Sequence, residues 1–162
     1  MLDAAVPPSV RGTCPGPRGD PRWTLVVAIL GSSMAFLDGT VVNVALPVMQ
    51  RELAIDVDVV QWIIEAYALL LAALVLVGGA LGDRFGRRRV FSAGALLFAL
   101  SSGACAASPG PWALVGARAL QGIAAALLVP GSRALISAAY PERTRGGAIG
   151  TWSAFSAITA AV

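Results

Sequence analysis

Four long apolar runs decide what this chain can fold into. They extend from Trp23 to about Pro47, from about Val59 to Gly82, from Val90 to Ala107 and from Trp112 to about Ser137. Each holds about 18–25 residues, the length a helix needs to cross ~30 Å of hydrocarbon at ~1.5 Å per residue. Backbone groups in lipid must be bonded within the spanning structure, which leaves helices or a closed barrel. A barrel needs strands of about ten residues with alternating polarity, and this sequence has none. The expected class is an all-α membrane protein with four transmembrane helices. A further apolar run, from Gly146 to Val162, reads as the start of a fifth.

Composition points the same way. Hydrophobic residues make up 57% of the 162, and charged residues only 13%, about half the ordinary ~25%. One soluble core of this size could not hide so much apolar surface, so the lipid bilayer is the expected partner. The balance excludes a disordered chain and an ordinary soluble enzyme. All twelve basic residues are arginine, and histidine is absent. The arginines stand in short clusters between apolar runs, so the net charge of +3 marks no nucleic-acid partner. Without histidine, any proton this chain moves must ride on a carboxylate. The sequence offers no metal-ligand set, no nucleophile–base pair and no phosphate-cradling glycine loop. Neither enzyme activity nor a cofactor is expected. Cys14 lies in a polar stretch and Cys105 in an apolar one, which argues against a disulfide.

Residues 1–22 are rich in proline, glycine and arginine and read as a disordered tail. They lack the short apolar region and cleavage site of a signal peptide. Arginines cluster in this tail (Arg11, Arg18, Arg22), after the second run (Arg84, Arg87, Arg88, Arg89) and after the fourth (Arg143, Arg145). The other loops hold only Arg51, beside Glu52, Asp56 and Asp58. The positive-inside rule then places the N-terminus in the cytoplasm of a multi-pass cell-membrane protein.

Small residues recur at helical spacing: Ala95, Ala99, Gly103 and Ala107 on the third run, Gly78 and Gly82 on the second, Gly122, Ala126 and Pro130 on the fourth. Such stripes permit close helix contact in lipid, and they also arise by chance in an alanine-rich chain.

A charge near the bilayer centre costs about 2.5–3.5 kcal/mol on insertion scales. Asp38, Glu65 and Arg118 stand inside apolar runs, with Asn43 and Gln121 as polar neighbours. Asp38 is about 14 Å from the outer end of its run and Arg118 about 9 Å from the outer end of its own. An acid and a base at similar depth are expected to pair where their helices touch. The pair would either carry a proton beside a wet cavity or simply order the bundle. Glu65 reads as a cavity-lining group or as a carboxylate at headgroup level under Trp62. The cluster Asp83 to Arg89 is either a positive anchor around a tight turn at Gly86 or a latch that opens and closes.

The stretch Gly79-Ala-Leu-Gly-Asp83-Arg-Phe-Gly86-Arg-Arg-Arg-Val-Phe91 resembles the signature between the second and third helices of the major facilitator superfamily. Leu37-Asp38-Gly-Thr-Val-Val-Asn43-Val-Ala-Leu-Pro47 resembles the first-helix signature of its drug:proton antiporters, particularly the fourteen-helix EmrB/QacA type. Arg118-Ala-Leu-Gln121-Gly122 resembles the antiporter arginine motif. The resemblance covers residue 22 onward. It implies alternating access around a central cavity and proton-coupled export of small amphipathic compounds. Asp38 would be the coupling carboxylate with Arg118 as its partner, and Asp83, Arg84, Gly86 and Arg87 the cytoplasmic gate. It also implies that residues 23–162 are the N-terminal part of a transmembrane domain whose C-terminal half lies outside this sequence. The alternatives are a carrier of another solute class and a membrane fragment that transports nothing.

Overall fold

The computed structural model describes residues 20–53 and 56–161, without the side chains at 43, 45–49, 51–53 and 160–161. It is a bundle of five helices: α1 (Pro21–Leu53), α2 (Val57–Phe85), α3 (Arg87–Ala106), α4 (Pro111–Ala139) and α5 (Glu142–Ala161). Among the described residues, the first four are long and apolar enough to cross a membrane. The proposed disordered tail falls largely on residues 1–19, outside the described residues.

Most helices run beyond their apolar cores, because polar residues close the ends. α1 starts at Pro21 rather than Trp23: the Asp20 carboxylate accepts from the Arg22 amide at 3.0 Å, and Pro21 needs no partner at the first helical position. Asp20 and Arg22 therefore belong to the helix start and not to the tail. α2 and α3 are separated only by Gly86, whose φ of 99° suits glycine. α5 opens at Glu142 after Pro141, so Arg143 and Arg145 are helical and not part of the loop.

α4 is the centre of the bundle. α2 and α3 pack along it, and α1 crosses it before meeting α5. The α2–α4 contact depends on missing β-carbons. A β-carbon on Gly78 would collide with the Ala126 carbonyl, and one on Gly122 with the Tyr67 carbonyl. Pro130, inside α4, supplies no amide hydrogen to Ala126, four residues earlier. The carbonyl left without its helical donor is the one facing Gly78. The helix continues through Pro130 to Ala139 rather than ending near it.

The small-residue stripe expected on α3 is not its packing face. Ala99, Gly103 and Ala107 are exposed, and Gly103 has nothing near its missing side chain. The buried face is Phe91, Gly94, Phe98 and Ser101. Aromatic rings bury more surface than alanines, so Phe91 and Phe98 set the helix rotation and carry the alanines outward. Phe91 also fills the space beside Gly31 of α1 and Gly131 of α4.

Two substitutions separate these faces. Gly122→Leu is expected to cost about 1–3 kcal/mol or more through overpacking, read as a lower melting temperature in detergent. Gly103→Leu should leave it nearly unchanged.

Candidate functional site

The charged residues inside the bundle meet at one point. Arg118 of α4 donates through Nη1 to Asp38 Oδ2 of α1. The same Nη1 donates to Gln121 Oε1 at 2.8 Å, and Gln121 Nε2 donates to Asp38 Oδ1 at 2.8 Å. Arg118 and Gln121 are one turn apart, so α4 presents both to the same carboxylate. The result is a closed triangle of acid, base and amide.

The guanidinium has further partners. Its Nε donates to the Ile63 carbonyl of α2 at 3.4 Å. Its carbon lies 4.4 Å from the centroid of the Tyr67 ring, a cation–π contact. Tyr67 in turn donates its hydroxyl to the Ala35 carbonyl of α1 at 3.1 Å. From α3, the Cys105 thiol donates to Gln121 Oε1 at 3.4 Å. Four helices thus converge on one buried cation.

Burial is uneven. The Arg118 side chain is 3% exposed and the Asp38 side chain 17%. The acid is thus the more accessible member of the pair. Protonating Asp38 removes one partner from Arg118 and leaves three: the Gln121 oxygen, the Ile63 carbonyl and the Tyr67 ring.

Of the residues singled out from sequence, Asp38, Arg118 and Gln121 come together. Glu65 does not join them; it is exposed on α2 and accepts from Gln61 Nε2 at 2.7 Å, one turn earlier. The side chain of Asn43 lies outside the described residues. Sequence reasoning assigned no role here to Tyr67 or Cys105. Nothing in their spacing marks them, because each reaches the cluster from a different helix.

The other cluster joins α2 to α3 at the arginine-rich end. Arg87 donates to Asp83 Oδ1 through Nε at 3.1 Å and lies within 3.0 Å through Nη2. Both side chains are largely exposed, so the pair contributes little by itself. Arg87 Nη1 also donates to the Ala134 carbonyl of α4 at 3.1 Å, tying the Gly86 turn to the central helix. Arg84 turns away and lies over Phe85, 5.7 Å from the ring centroid.

Together these features define a multi-pass helical membrane protein with an ion pair buried between its first and fourth helices. Residues 28–162 match the Major Facilitator Superfamily, and the chain belongs to it. It is 45% identical to the puromycin resistance protein pur8 of Streptomyces alboniger, over 99% of this chain and 32% of that protein. It is 43% identical to the multidrug resistance protein Stp of Mycobacterium tuberculosis, over 83% of this chain and 25% of the relative. It is 40% identical to the tetracenomycin C resistance and export protein of Streptomyces glaucescens, over 85% of this chain and 26% of the relative. The chain thus spans about a third or less of these curated relatives.

Asp38→Asn tests the pair. It leaves Arg118 without its counter-charge and should cost about 3–5 kcal/mol. Replacing both partners, Asp38→Asn with Arg118→Leu, should recover part of that loss. Thermal unfolding of the three variants in one detergent measures the coupling.

Proposed function

We propose that this chain forms part of a proton-coupled exporter of small amphipathic compounds, with Asp38 as the proton carrier. The observation that carries this reading is the Asp38–Arg118–Gln121 triangle, in which a partly exposed carboxylate faces a sealed and independently supported cation. In this reading Asp38 binds and releases the proton, while Arg118 and Gln121 hold its carboxyl group in place. The names of the three relatives, which speak of drug or antibiotic resistance and in one case export, support the substrate class. The partners in this reading are the bilayer, protons, the amphipathic substrate and the rest of a longer transporter.

Asp83, Arg84, Gly86 and Arg87 act as the cytoplasmic gate. Asp83 holds Arg87 in the present arrangement, and exchange of that partner would free the Gly86 turn from α4. Glu65, and Asn43 by its place in the sequence, are candidates for the outer half of the pathway. The arginine clusters support a cytoplasmic N-terminus.

A chimera tests the coupling. Residues 28–162 replace the matching segment of the puromycin resistance protein, and substrate-driven proton movement is followed in inverted vesicles. The chimera should move protons when puromycin is added, and Asp38→Asn should abolish the movement. Undiminished flux in the Asp38→Asn chimera would remove Asp38 from the mechanism. Orientation has a simpler test, because Cys14 lies in the N-terminal stretch. In a Cys105→Ala background, an impermeant maleimide should label Cys14 in inverted vesicles and spare it in right-side-out vesicles.

A further inference from the structure

α4 carries a second arginine within its span, and the Asp38 centre does not use it. Arg133 is exposed, and no carboxylate among the described residues lies within ion-pair distance of it. Its guanidinium carbon sits 4.8 Å from the centroid of the Trp152 ring of α5. That ring is fixed. Trp152 is 3% exposed, and its Nε1 donates at 2.7 Å to Ser32 Oγ of α1, which is wholly buried. Ser32 in turn donates its hydroxyl to the Ala28 carbonyl. Three helices therefore hold a flat aromatic surface under one face of a cation.

Arg133 lies against an inner aromatic ring instead of extending freely from the helix. A long basic side chain near a helix end normally reaches outward to the interface. Arg133 is about 9 Å from the end of α4, whereas Trp152 is about 15 Å from the start of α5. The guanidinium thus leans toward the bundle centre, as the N-terminal tilt of helical side chains favours. An ionised group so placed needs water or an anion. Arg145 adds to the field from the same direction. It stands seven residues, or about two turns, before Trp152 on the same face of α5. Its Nε is buried with no acceptor among the described residues. Among the described residues neither Arg133 nor Arg145 has an ion-pair partner, and Arg145 has an orphaned donor.

We infer that Arg133, backed by Trp152 and assisted by Arg145, is a binding site for the acidic group of a planar aromatic anion. One face of the guanidinium rests on the indole; the other can stack on the ligand ring while the N–H edges hold its carboxylate or sulfonate. A spherical ion would use the charge and waste the plane. The site deepens the export reading, on which its relevance to transport rests: it would receive acidic amphipathic substrates on the arginine-rich side of the Asp38 level, because Arg133 lies fifteen residues further along α4 than Arg118, about 22 Å.

The test uses the full chain in phosphatidylcholine nanodiscs and follows the Trp152 indole N–H signal by NMR, assigned with Trp152→Phe. Naphthalene-2-sulfonate should shift this signal saturably, and naphthyl-trimethylammonium should not. Arg133→Gln should weaken sulfonate binding at least tenfold, Arg133→Lys less, and the control Arg143→Gln hardly at all. Inorganic phosphate should bind at least tenfold more weakly than the sulfonate. Equal responses to sulfonate and cation, or unchanged binding in Arg133→Gln, would overturn the site. Phosphate binding as tight as the sulfonate would remove the aromatic requirement. Competition by phosphatidylglycerol would assign Arg133 to lipid headgroups and overturn it equally. Should Arg133→Gln misfold, the sulfonate–ammonium comparison on the unchanged chain decides. Asp38→Asn should retain sulfonate binding, so failure of the proton-coupling reading leaves this result standing and separately readable. Loss of binding in an Asp38→Asn chain whose other indole signals stay native would merge the two sites and refute a separate one.

Discussion

The bundle is organised around the problem of keeping Arg118 charged where water cannot reach it. A guanidinium has five N–H donors and cannot lose its proton in a protein. Its burial has to be offset by contacts that a single partner cannot supply. α1 contributes a carboxylate, α2 a carbonyl and an aromatic face, and α4 its own glutamine. α3 contributes indirectly, through the thiol on Gln121. Removing any one of these four helices leaves part of this set unmet. The position of each helix is therefore restrained by a polar atom as well as by apolar packing. That is a stronger specification than lipid-facing leucines can give, since lipid tails are as apolar as leucine.

Backbone proximity makes the arrangement possible. The Ile63 carbonyl can reach Arg118 only because α2 and α4 approach without β-carbons between them. Gly122 admits the Tyr67 backbone, and Gly78 admits the Ala126 carbonyl. Pro130 contributes to the same seam by withholding a donor from Ala126. The proline and glycine are paired features on different helices, each making sense of the other. The same seam delivers the Tyr67 ring to the guanidinium, so close packing and the electrostatics of the site are one construction.

Much of this was legible in the residues themselves. The apolar runs gave the number of spans, because hydrocarbon thickness fixes a length. The cost of burying charge drew Asp38 and Arg118 together before any coordinates. Gln121 was readable from its place one turn after Arg118. Other features were not. Helix ends moved outward because capping depends on single polar residues such as Asp20, which hydropathy smooths away. The exposed face of α3 was misjudged because small residues permit contact without demanding it, whereas Phe91 and Phe98 demand burial. Tyr67, Cys105 and the Ser32–Trp152 bond depend on helix rotation, which one-dimensional spacing does not contain. Arg133, also a charge within the fourth run, was passed over, and its surroundings depend on the same helix rotation.

The two arginines of α4 show why location alone does not define a role. They are fifteen residues apart, about 22 Å along the axis and about 60° around it. Arg118 is sealed and supplied with every kind of partner: an anion, an amide, a carbonyl and a ring. Such a group is suited to stand still while the charge of Asp38 changes. Arg133 has the ring and lacks the anion. It is also open to its surroundings, so the missing partner can come from outside the chain. Both rest on aromatic rings that are themselves pinned by hydrogen bonds, Tyr67 to Ala35 and Trp152 to Ser32. The construction is repeated at two depths, with an internal counter-charge at one level only. One helix thus carries a sealed, fully partnered arginine and an open one without a counter-charge among the described residues.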